Sequence, residues 1–195
     1  MKSNPDELEQ KIEAALLELH ERKEWKSNKQ WTRAVKNAVG RVVRGPGRRV
    51  WAAQSEFRAG GEWLLDLCCF KESKDHRLIF KMLLAMESEW NPKADWEDFQ
   101  KLVVTRADLR LFVTWDKKSE KWNARKAKLI EIVERFEGTR KGDRYLFCCW
   151  IDDFESPPII EPFVAKRSGL PERSRIASVD SRSSNGRKAG TQLHP

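Results

Sequence analysis

The chain of 195 residues, 39% hydrophobic and 35% charged, is long enough to bury one core and too short for two ordinary domains. No apolar run nears the roughly 20 residues that cross a bilayer, and Met1 to Glu13 is acidic and polar rather than signal-like, so a soluble, cytoplasmic protein is expected. The net charge of +8 is unevenly spread: residues 22–51 carry +9 and residues 166–195 carry +5, leaving an acidic remainder of −6, a division that suits a polyanionic partner held by basic appendages.

In chain order, Asn4 can cap a first helix, Pro5 suits its first position, and Leu8, Ile12, Ala15, Leu16 and Leu19 form one apolar stripe. A second helix is expected from Ser27 or Asn28, burying Trp31, Val35, Ala38, Val39 and Val42. Its Lys29, Arg33 and Lys36 recur four and three residues apart on another face, as a basic stripe that with Arg48 and Arg49 is expected to bind nucleic acid. Gly45-Pro46-Gly47 ends this helix. Three extended stretches follow, Arg49 to Phe57, Trp63 to Phe70 and Leu78 to Trp90, with Ala59-Gly60-Gly61-Glu62 as the first hairpin link, so an antiparallel meander is expected.

Beyond it, Asp95 can cap a short helix bearing Trp96, Phe99 and Val103. Asp108 to Trp115 reads as a buried strand, Ser119 to Glu137 as a helix with Trp122, Leu129, Val133 and Phe136 on one side, and Tyr145 to Ile151 as a last apolar strand. Strands alternating with helices imply parallel pairing. The expected fold is therefore α/β, a mixed five-stranded sheet flanked by helices. Residues 1–26 form an N-terminal helix, 27–153 the core, and 154–195 a basic tail that is largely disordered, because Pro157, Pro158 and Pro162 and then a Ser/Arg/Gly-rich composition leave little room for regular structure. Cys68/Cys69 and Cys148/Cys149 are adjacent pairs within strands, where neighbours point to opposite faces, so they read as buried free thiols.

The chemistry concentrates in acids placed within strands. Asp66 sits among apolar neighbours, where an unpaired carboxylate is costly. Glu87 and Glu89 are two residues apart and share a sheet face. A register pairing Asp66 with Glu87, and hence Phe70 with Leu83, brings three carboxylates together. Two charges about 4 Å apart repel by roughly 4 kcal/mol at an effective dielectric near 20, so such a cluster shares a proton or binds a cation. Oxygen ligands alone favour magnesium or manganese. The alternative is that these acids face solvent at strand ends and pair with Arg49 or Arg58.

The element order over roughly residues 27–151, with Asp66 in the second strand and Glu87-Ser88-Glu89 ending the third, resembles the PD-(D/E)xK nuclease superfamily, the restriction-endonuclease-like fold. The resemblance implies an endonuclease, a metal-dependent hydrolase of phosphodiester bonds: Asp66 and Glu87 hold Mg2+ (or Mn2+), and the position of Glu89 orients the attacking water. The family usually has lysine at the position of Glu89. Lys101 is a candidate for the displaced cation, although its helical spacing equally suits an exposed lysine, and Glu24 is the nearest carboxylate to the fourth acid often found before the meander. DNA is expected ahead of RNA, and a homodimer or protein partner is compatible with the pattern.

A catalytically silent binding module of the same fold is the competing expectation. Trp31, Trp96 and Trp122 fall on apolar helix faces and read as core, as do Trp25, Trp51 and Trp90, although these last three border charged segments from which they could stack on bases. No phosphate-binding glycine loop, dinucleotide fingerprint or nucleophile elbow is present.

Overall fold

The computed structural model describes residues 5–23, 25–57, 61, 63–91 and 95–166. Two helices, α1 (Pro5–Arg22) and α2 (Asn28–Val43), precede strands β1 (Arg48–Trp51), β2 (Leu67–Glu72) and β3 (Ile79–Glu89). Then follow α3 (Asp95–Val104), β4 (Leu109–Asp116), α4 (Ser119–Arg135), β5 (Arg144–Ile151) and β6 (Ile159–Val164). α2 starts where Ser27, in extended conformation, accepts a hydrogen bond from the Gln30 amide (3.3 Å), while the Gln30 side chain accepts from the Lys26 amide (2.6 Å). No helix among the described residues is long and apolar enough to cross a membrane.

The strands form one mixed α/β sheet in sequence order: β1 to β3 are antiparallel, β3 to β5 parallel, and β5 with β6 antiparallel. Period-two alternation divides the core. Leu84 and Met86 of β3 pack with Trp31, Val35 and Val39 of α2, whereas Ala85 and Phe112 pack with Phe99, Trp122 and Leu129 of α3 and α4. The sheet thus separates α1 and α2 from α3 and α4. All four cysteines are buried and free, as expected.

Four expectations are corrected. The sheet has six strands, not five: β6 is an edge strand, the place in a sheet where a proline such as Pro162, opposite Leu146, is tolerated, and Ile159 and Phe163 pack on one core face while Ile160 packs on the other. Regular structure therefore continues past residue 154; the rest of the expected tail, 167–195, lies outside the described residues. The stretch Arg49 to Phe57 is a strand only to Trp51, because Gln54 is left-handed (φ 56°) and Ser55 Oγ donates to the Ala52 carbonyl at 2.6 Å and accepts from the Phe57 amide, closing a turn. Asp66 lies in the bend before β2 rather than mid-strand. Trp96 is 44% exposed, and Leu102 takes its expected place in the core beside Phe99 and Val103. The Asn4 cap, Arg58 and the link residues Ala59, Gly60 and Glu62 lie outside the described residues, as does the Asp95 side chain.

Candidate functional site: an acidic corner between two lysines

The β2–β3 ladder ends at Leu67 opposite Met86, so Asp66, just before β2, lies beside the Glu87–Ser88 end of β3 without forming the expected strand pair with Glu87. A register shift after Cys69 sets Phe70 against Met82 instead of Leu83, without disturbing this end of the ladder. Leaving the strand frees Asp66 to turn toward α2. One carboxylate oxygen, Oδ1, meets Lys36 Nζ at 2.7 Å, and the other, Oδ2, accepts from the Ser88 amide (2.9 Å) and the Ser88 hydroxyl (2.7 Å). Both oxygens of Asp66 are engaged.

Lys36 is therefore not part of an exposed basic stripe. It is 3% exposed and also donates to the Ala53 carbonyl at 3.4 Å. The signal was present in the spacing: Lys36, Gly40 and Val43 recur four and three residues apart, and all three are buried. Lys29 and Arg33, in the same stretch of α2, are exposed. Lys29, Arg33 and Lys36, with Gln54, Ser55 and Asp66, line an open cavity of about 510 Å³. Arg48 and Arg49 are elsewhere: they pair with Lys71 and Phe70 of β2, and Lys71 lies five residues from Asp66, about 16 Å along an extended chain. There Arg49 stacks over Trp51 (4.4 Å) and lies 3.6 Å from Glu72.

On the opposite face of the sheet, Glu87 is 4% exposed and its Oε1 has no hydrogen bond. The nearest cation is Lys101, whose Nζ lies 3.5 Å from Glu87 Oε1 and 2.5 Å from Asp98 Oδ1. Lys101 thus reaches the cluster while remaining 41% exposed, which combines the two alternatives its spacing allowed. Burial, reinforced by the Asp66 charge, pushes the Glu87 carboxyl up to about 8, against the lowering effect of Lys101. Glu89 is also raised, first by burial and then by its contact with Asp98; its Oε1 accepts from the Asn91 amide at 2.5 Å. The hydrogen bond to Asp98 raises Lys101 to about 12. Asp98 was not legible as a site residue, since its spacing to Lys101 (i, i+3) is that of any surface helix pair.

Four acids, Asp66, Glu87, Glu89 and Asp98, thus meet two lysines that approach from opposite faces. Among the described residues of the cluster, two formal negative charges remain unbalanced. This excess adds to burial, the larger cause, in raising the Glu87 and Glu89 carboxyls. The oxygen-only donor set and the unbonded Glu87 Oε1 fit a hard divalent cation on the Glu87 side. On the Asp66 side Lys36 already neutralises the carboxylate, and among the described residues no three His, Cys, Asp or Glu side chains close into a metal-holding group. Glu24 lies outside the described residues. Comparison of the chain with known protein families, with curated proteins and with solved structures gives no match.

Proposed function

We propose that this protein hydrolyses phosphodiester bonds of nucleic acid at the Asp66–Glu87–Glu89 corner with the help of Mg2+ or Mn2+. The observation that carries the reading is that Asp66 belongs to two environments at once: it joins the acid cluster and it lines the cavity whose rim is Lys29 and Arg33. A polyanion attracted to that rim is brought to Asp66, and so to the edge of the acid cluster. A phosphodiester in the cavity meets the Lys36 ammonium beside Asp66, and a positive charge there stabilises the extra negative charge of the transition state. Lys36, entering from α2, supplies the cation that the superfamily pattern usually places where Glu89 stands.

Glu87 is the principal residue to hold the metal, with Asp66 beside the end of the ladder; the metal would polarise the phosphate and lower the pKa of an attacking water. Glu89, whose affinity for a proton is raised first by burial and then by Asp98, can take a proton from that water. Lys101 and Asp98 hold the Glu87 carboxyl in place from the α3 side.

A specific observation favours a second reading, that of a catalytically silent nucleic-acid-binding or protein-interaction module: Asp66 is fully bonded to Lys36 and Ser88, as in a structural ion pair. Two measurements separate them. Thermal melting in EDTA and in millimolar Mg2+ or Mn2+ should show a metal-dependent rise that Glu87→Gln removes. Labelled DNA and RNA, single- and double-stranded, should be cut by the wild type with metal and not by Lys36→Gln or Asp66→Asn. A melting temperature indifferent to metal, with uncut but bound nucleic acid, sinks the hydrolytic reading and leaves the binding module.

A further inference from the structure

We infer that a second cleft, at the carboxyl ends of the parallel strands, receives an unpaired nucleobase, so that the substrate class is single-stranded nucleic acid. The inference rests on the nucleic-acid part of the proposed function, though not on hydrolysis. The cleft has a volume of about 420 Å³ and is bounded by Trp25, Trp90 and Phe154, with Lys23, Lys26 and Glu155 at its edge. Trp90 directly follows Glu89 at the end of β3, and Phe154 lies just beyond the end of β5. Outside the carboxyl ends of the strands is where open α/β sheets present their ligand crevices.

Its chemistry differs from that of the first cavity. Aromatic side chains form the wall and two exposed ammonium groups stand at the rim, the pairing that holds single strands by stacking and by phosphate contact. Trp90 is stacked between Trp115 (interplanar angle 4°) and Phe154 (22°), which fixes it as a wall. Trp25 meets Phe154 edge-on at 70°, its single aromatic contact among the described residues, and is half-buried. That makes Trp25 the platform on which a base stacks. Glu155 repels a phosphate from its side, leaving the base as the group that enters.

Two further observations tie the cleft to the first site. Asn28 borders the cleft and Lys29 borders the basic cavity, so the first turn of α2 joins them, and the helix rises only about 12 Å from Asn28 to Lys36. Backbone strain also collects here. Of the five non-glycine residues with positive φ among those described, Lys23 (45°) and Phe154 (70°) line the cleft, Asp152 (53°) is two residues from Phe154 in the chain, and Gln54 (56°) lines the basic cavity. Such conformations persist where surrounding structure holds them, often at binding sites. A duplex cannot offer an unpaired base to Trp25, whereas a single strand can.

The test is fluorescence anisotropy of the full-length protein in EDTA, where nothing is cut, with three labelled probes of equal length: a single strand, the same strand with abasic sites throughout, and a hairpin duplex. The wild type should bind the single strand more tightly than the abasic strand or the duplex. Trp25→Ala should weaken single-strand binding by about 5- to 100-fold, the range of one lost stacking contact, and leave the abasic strand unchanged, while Trp25→Phe retains most of the affinity. Lys23→Gln with Lys26→Gln should weaken all three probes and flatten their salt dependence. Equal wild-type affinity for base-bearing and abasic strands, or a Trp25→Ala protein with the wild-type melting temperature and undiminished single-strand affinity, overturns the inference. Tight, base-dependent binding without cleavage in metal would overturn hydrolysis and leave this subsite standing.

Discussion

Replacing Glu87 by glutamine isolates the electrostatic strain at the acidic corner. In the unfolded chain this carboxyl titrates near 4.5, whereas burial and Asp66 raise it to about 8 in the folded protein. Below the lower value both states are protonated and the group contributes nothing to pH dependence. Between the two values the unfolded chain releases a proton that the folded chain retains, so stability falls by about 1.4 kcal/mol per pH unit and levels off above the upper value, a loss of roughly 5 kcal/mol. The side chain is almost wholly buried, so solvent screening does not erase this. Glu87→Gln keeps the shape and cannot ionise. Urea unfolding in EDTA, from about pH 5 to about pH 9, should therefore show the variant gaining on the wild type along that slope. Magnesium should flatten the wild-type slope and leave the variant unaffected. Parallel stability curves across the whole window in EDTA would refute the burial argument, and with it the reason for a cation at this corner.

Other outcomes follow from single contacts. Lys36→Met leaves Asp66 without its cation and should cost about 3 kcal/mol in chemical denaturation, much of which Asp66→Asn in the same chain restores. Trp31, fully buried against Trp90, Trp150 and Phe154, should lose about 3–5 kcal/mol on replacement by alanine. Trp96→Ala, by contrast, should change stability by no more than about 0.5 kcal/mol, since that ring is exposed. A Cβ at Gly40 would stand 2.1 Å from the Phe57 ring, so Gly40→Ala should destabilise by about 1–3 kcal/mol and be relieved by Phe57→Leu, both read from thermal melts. Glu9 accepts both arms of Arg144 (2.9 and 2.6 Å), so Glu9→Gln should speed hydrogen exchange in α1 ahead of the sheet.

The order of elements was legible because it rests on local rules. The apolar stripe of Ile12 and Leu16, the Ser27 cap, the near-continuous runs of β4 and β5, and the lone acid at Asp66 each follow from periodicity or composition within a few residues. The approach of Asp66 to the Glu87 end of β3 was also within reach, since the hairpin register fixes which residues come near one another. What the amino-acid pattern could not decide was which charged groups are buried and with whom. Lys36 has the helical spacing of a surface residue in one row and of a core residue in another, and only the packing of α2 on the end of β2 selects the second. Asp98 and Lys101 look like an ordinary surface pair until α3 docks beside Glu87. β6 carries three prolines in or just before it, and its place is granted by a free edge on β5, a property of the assembled sheet and not of its own residues. Local sequence therefore determined the elements and the acids. The tertiary structure decided the charge balance among them, because the energy of a buried carboxylate depends on partners brought from distant parts of the chain and on the water they exclude.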